Sequence, residues 1–237
     1  GVYLLVVPPE SFGGADLAWA LVAGVLVSFA RPLLYLGRAK GPIVVFAPVF
    51  ALFSVAVPVL VGPFVGESLA GLEIVGIVLA LPAVVMVSSE DRVPRPREAV
   101  RSPAFALAVL VGTILGLIAL TFSAIDTSAG AGPAFVSQAV GIVGVPLAAR
   151  TFGRVARLSR GMVSWGAGVG MIEIVAVIAN VAAFQRGSAA VVAAVLGLTP
   201  VVSIVLAWRV LAEPIHRIQV VGSALGVVSI LLFSLAS

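Results

Sequence analysis

The chain has 237 residues, 61% of them apolar and 10% charged, and a formal net charge of +4. Soluble domains carry roughly 45–50% apolar and about 25% charged residues, so a water-soluble core could not hide this much hydrocarbon. With no cysteine and the single histidine His216, the chain excludes disulfides, thiolate metal sites and a cysteine nucleophile, and neither a metal nor another cofactor is expected.

What remains is a polytopic, all-α membrane helix bundle. A helix needs about 20 largely apolar residues to cross a hydrocarbon layer roughly 30 Å thick, and eight such spans are predicted at 17–37, 43–64, 69–88, 103–123, 134–150, 161–184, 188–211 and 218–236. The first carries Trp19 near its start and a stripe of Gly24, Ser28, Arg31 and Tyr35, with Pro32 beside the arginine. The second contains VVFAPVFALFSVAVPVLV, which lacks the apolar–polar alternation of a membrane β-strand and thereby excludes a barrel. Pro48, Pro58 and Pro63 interrupt it, and Glu67 precedes the third span. The polar stretch SSEDRVPRPREAVRSP is too short and proline-rich for a domain and reads as a linker over 89–102.

In the fourth span Gly112 and Gly116 read as close-packing contacts. The short fifth span offers Ser137 and Gln138 as hydrogen-bonding groups. The sixth carries Trp165, Gly166, Gly170, Glu173 and Asn180 on related turns, and Gly166 with Gly170 is again expected to pack closely. Pro200 interrupts the seventh span, which ends on Trp208 and Arg209, while Glu213 and Pro214 precede the eighth. Glu67 and Glu213 are expected to cap the helices that follow them through the helix dipole.

Basic residues in short loops stay on the cytoplasmic side. One face of the bundle collects Arg38 and Lys40, Arg92, Arg95, Arg97 and Arg101, then Arg150, Arg154, Arg157 and Arg160, then Arg217; the other holds Arg186. The charge is therefore a topological signal, and no basic soluble domain is present to bind nucleic acid. The expected location is the cytoplasmic membrane, with lipids as neighbours and the basic face inside.

A shift of 146 positions aligns 15–88 with 161–234 and superposes Trp19 on Trp165, Gly24 on Gly170, Gly41 on Gly187, Glu67 on Glu213 and Gly76 on Gly222. Three helices of one copy and the two between the copies make a period of five, and an odd period inverts the second copy. Two pseudo-symmetric halves about one site are a recurring plan of secondary transporters. The expected domains are a first repeat over 1–88, the linker, and a second repeat over 103–237, with two further helices preceding residue 15 and YLLVV as the tail of the second.

The segment GLTPVVSIVLAWRVLAEPIHRIQVVGSALGVVSILLFS resembles the closing helices of the EamA-type drug/metabolite transporters, and APVFALFSVAVPVLVGPFVGESLAGLEIVGIVLAL resembles the same element of the other half. The duplicated Glu67–Gly76 and Glu213–Gly222 spacing is its most specific part. The resemblance implies ten helices in two halves of five, both termini in the cytoplasm, and transport of metabolites, amino acids, nucleotide-linked compounds or drugs. Against that topology, the distribution of basic residues places the C-terminus outside.

An unpaired carboxylate inside a membrane costs several kcal/mol or takes up a proton, which makes Glu173 the leading functional candidate. Arg31 is its natural counter-charge, and Tyr35, Asn180, Ser28 and Gln138 complete the expected polar lining of a central cavity for a small solute. A fixed ion pair that only locks two helices is the competing reading. A membrane-embedded lipid or isoprenoid enzyme and a non-transporting structural subunit stand as alternatives to a transporter, although the scattered acids form no catalytic constellation. A second copy of the chain is kept among the expected partners.

Overall fold

A computed structural model describes residues 11–40, 42–89, 93, 95–153, 160–211 and 215–236. The expectations for YLLVV, Gly41, Arg92, Arg154, Arg157, Glu213 and Pro214 fall outside these residues. The described chain contains no strand; its helices are α1 (Gly14–Lys40), α2 (Ile43–Val61), α3 (Gly71–Val87), α4 (Pro96–Arg101), α5 (Phe105–Ser123), α6 (Gly132–Thr151), α7 (Arg160–Arg186), α8 (Ala189–Gly197), α9 (Thr199–Leu211) and α10 (Arg217–Ala236). Among the described residues seven stretches are long and apolar enough to cross a membrane, Ala189–Val210 being one of them, and α3 is a shorter apolar helix of 17 residues. The chain is a multi-pass helical membrane protein.

The expected span 188–211 is present as Ala189–Val210, but its helix is interrupted: α8 ends at Gly197 and α9 begins at Thr199. Pro200 supplies no N–H and its ring crowds the carbonyl four residues back, on Leu196. That carbonyl instead accepts the Thr199 hydroxyl at 2.5 Å.

Two compact units emerge, and each draws on two separate segments of the sequence: 1–32 with 118–187, and 33–117 with 188–237. In the second, α3 lies along α10, and α2 packs on both α3 and α8. Val55, Ile77, Ala80, Ala83, Val84, Ala194 and Leu198 form its apolar centre. The α3–α10 contact is built on glycines that let backbones approach: a Cβ on Gly76 would stand 2.5 Å from the Phe233 ring, and one on Gly222 would stand 2.8 Å from Met86 and 2.9 Å from Val87. The shift that carries Gly76 onto Gly222 also carries Val87 onto Phe233, so this contact is reciprocal across the repeat. Gly112 and Gly116 pack as expected, the first against the Phe50 carbonyl and Phe53, the second against Val57 and Pro58.

Glu67 does cap a helix, but not the one that follows it. Its Oε1 accepts the Ala189 amide at 2.8 Å, at the start of α8, where Ser188 also accepts the Val191 amide at 3.2 Å. The first turn of α3 has its own acid, because Glu73 accepts the Ala70 amide at 2.7 Å.

The first unit gathers α1 as far as Pro32, α6, α7 and the turn before α6. Gly24 on α1 fits against Val140 and the Ser137 carbonyl of α6, and Gly144 on α6 fits against Ser28 of α1. Gly166 and Gly170 depart from expectation: a Cβ on either would meet nothing within 4 Å, because the first half of α7 is largely exposed. At one end of the unit Asp16 accepts the Asp126 amide at 3.1 Å, and the Gln185 side-chain amide donates to the carbonyls of Asp126 at 3.1 Å and Gly130 at 3.3 Å.

Candidate functional site

Three helices of the first unit bring one polar group each to the same place. Arg31 of α1 is ion-paired with Glu173 of α7, its Nη2 donating to Glu173 Oε1. The same nitrogen donates to Gln138 Oε1 of α6 at 3.2 Å. All three stand inside membrane-spanning helices, where either charge alone would be costly and the pair offsets both.

The pair is not sealed. The side chains of Arg31 and Glu173 retain 35% and 40% of their accessible surface. Both bonds of Arg31 leave from Nη2, so its Nε and Nη1 donors have no acceptor among the described residues. A guanidinium presents five N–H donors in a planar fork suited to carboxylates. The arrangement is therefore a partly buried charge pair with unused donors.

The remaining candidates separate by environment. Ser28 is buried and its hydroxyl donates to the Gly24 carbonyl at 2.7 Å, so its hydrogen is committed to its own helix. Ser137 likewise donates to the Ala134 carbonyl at 2.9 Å. Asn180 is half-buried two turns along α7 from Glu173 and makes no side-chain hydrogen bond among the described residues. Tyr35 is 68% exposed and belongs to the second unit.

Comparison with known proteins decides the identity. The EamA-like transporter family matches residues 102–235, more than half of the sequence. The chain belongs to the EamA-like transporter family. It is accordingly a membrane transporter. A solved crystal structure of another protein shares the fold with a TM-score of 0.65 at 16% identity, covering 99% of this chain and 90% of its own. No curated protein matches.

Within this transporter, the polar tie made by Asp16, Asp126 and Gln185 is a feature that sequence reasoning missed. Asp126 opens the short turn at Thr127–Ala129, and its side chain accepts the Ser128 amide at 2.8 Å. The Ser128 hydroxyl and then its amide hold the Asp126 carboxyl below the usual carboxylate range. An Asp two residues before a Ser is the signal that predicts such a turn. Among the described residues no three His, Asp or Glu groups are placed to hold a metal.

Proposed function

We propose that this protein is a secondary transporter that moves a small metabolite, amino acid or drug-like solute across the cytoplasmic membrane by alternating access, with Arg31 and Glu173 at its binding site and Glu173 coupling transport to protons. The observation that carries this reading is the ion pair itself: opposite charges within membrane spans, joined by Gln138 and only partly buried. An acid whose counter-charge can be engaged by a substrate is free to bind and release a proton in alternation with it, as intramembrane acids do in proton relays. The reciprocal Gly76–Phe233 and Gly222–Val87 packing supports the two-fold plan that alternating access requires. The basic residues put the face bearing Arg38, Lys40, Arg150 and Arg217 in the cytoplasm.

The test is uptake into proteoliposomes of a mixed pool of amino acids, nucleosides and organic acids, read by mass spectrometry with and without an imposed proton gradient. Gradient-dependent accumulation or exclusion of a compound is expected, and Glu173→Gln should remove the gradient dependence. Flux in that variant with the dependence intact would mean that the ion pair only fastens two helices.

A further inference from the structure

The pair also constrains what charge the substrate carries. Building on the transport reading above, we infer that the Arg31–Glu173–Gln138 site takes the carboxylate of an organic monoanion, and that each anion binds together with one proton on Glu173.

The donors come first. Arg31 spends a single nitrogen on both of its protein acceptors, and the side chain stays about one-third exposed. Nε and Nη1 keep free donors on either side of Nη2, so a fork for two carboxylate oxygens opens when Glu173 releases Nη2. Gln138 holds the guanidinium from the α6 side and, being neutral, does so without adding charge.

Charge balance then narrows the ligand among ions, a zwitterion being the neutral competitor that the glycine control below tests. Arg31 and Glu173 together sum to zero, so a monoanion would leave one uncompensated negative charge inside the membrane, a costly state. A proton on the Glu173 carboxylate restores neutrality and at the same time releases Arg31 to the ligand. A cation has no such route, because it would leave Arg31 without a counter-charge. A phosphate dianion would remain one charge out of balance even with Glu173 protonated.

Among the described residues no other charged group is bonded to this pair. Arg31 is the charged group facing Glu173 from α1, and α6 brings the neutral Gln138, its Arg150 standing in the helix's last turn. The turn packed on α7 brings Asp126, which lies at the Gln185 end of that helix.

The experiment uses the purified full chain in detergent micelles and carbon-13 acetate as the probe, with acetamide, methylamine and glycine as matched controls, titrated by NMR line broadening between about pH 6 and pH 8. Acetate should bind in preference to acetamide and methylamine, with apparent affinity falling about tenfold per pH unit, as uptake of one proton per anion demands. Glu173→Gln, a permanently neutral mimic of the protonated acid, should bind acetate at pH 8 at least as well as the native protein at pH 6, and without pH dependence. Arg31→Gln should abolish binding.

A gain of affinity in Glu173→Gln cannot come from misfolding, which keeps the test decisive. Acetate binding no better than acetamide, weaker binding in Glu173→Gln, or preferential glycine binding that needs both charges would each overturn the inference. Flux of uncharged or cationic solutes without acetate binding would do so while leaving transport standing. Intact proton-linked acetate binding without flux of any compound would instead overturn the transport reading.

Discussion

The two units of this transporter spend their small residues in opposite ways. In the second, Gly76, Gly112, Gly116, Gly197 and Gly222 each admit a neighbour so close that an added Cβ would fall 2.8 Å or less from another atom, and the apolar centre needs no polar group. In the first, Gly24 and Gly144 interlock, yet Gly166, Gly168 and Gly170 stand open on a helix that also carries Glu173. Packing that tolerates no added atom fixes one arrangement. A half-exposed ion pair on a sparsely packed helix leaves room for a second arrangement. The difference sets close glycine packing in one unit against a partly exposed ion pair in the other.

The sharpest way to break that contrast is to add the same methyl group to each unit. At Gly112 the new Cβ would lie 2.6 Å from the Phe50 carbonyl oxygen, a backbone atom with little freedom to yield, whereas at Gly168 it meets nothing within 4 Å. Gly112→Ala should cost about 1–3 kcal/mol of stability through overpacking, while Gly168→Ala should stay within about 0.5 kcal/mol. Unfolding in detergent followed by circular dichroism measures both. Equal losses would remove the distinction between the units.

The same contrast explains which features can be read without coordinates. Lipid accepts only long apolar helices with their backbone groups satisfied, so the seven crossing stretches and the shorter apolar α3 follow from hydropathy, while the length of α3 does not. The pairing of Arg31 with Glu173 is also legible, because two opposite charges inside spans have few other ways to be neutralised. The break at Leu198 is less so, since Pro48 and Pro58 lie inside α2 without ending it while Pro200 lies at a helix start. Nor could the partner of Glu67 be read: capping chemistry is local, but Ala189 is brought to it from 122 residues away by tertiary packing. Gly166 and Gly170 mislead for a related reason, as spacing marks a face fit for close approach without saying whether a neighbour is present.

Glu67 offers a smaller test within the closely packed unit. Its Oε1 satisfies the first amide of α8, and its Oε2 is buried without a hydrogen-bond partner, close against Gly62. Removing a capping side chain typically costs about 1 kcal/mol, so Glu67→Ala should lower stability by that order. Glu67→Gln keeps an oxygen acceptor and loses only the charge–dipole attraction, worth about 0.3–1 kcal/mol. Thermal melts of the two variants should therefore rank alanine below glutamine and glutamine below the native protein. A glutamine variant that melts no higher than the alanine variant would mean that the charge, rather than the hydrogen bond, fastens α8.

The smallest effect belongs to the turn of the other unit, where the exposed Asp126 accepts from the half-buried Ser128. Those bonds favour the ionised carboxylate and hold its titration below the ordinary value, the side-chain contribution being the larger. A folded-state value below the unfolded one means that the unfolded chain binds the extra proton first, so stability rises with pH across that interval. The contribution is present above about pH 4, where the unfolded carboxyl is ionised, and fades as pH falls through the folded value. Asp126→Asn keeps an oxygen for the Ser128 amide but cannot titrate, and Ser128→Ala removes the principal cause of the shift. Melting temperature plotted between about pH 3 and pH 6 should thus separate native protein from both variants at the upper end and converge at the lower. A gap that stays constant across that range would show that Asp126 acts through the shape of the turn alone.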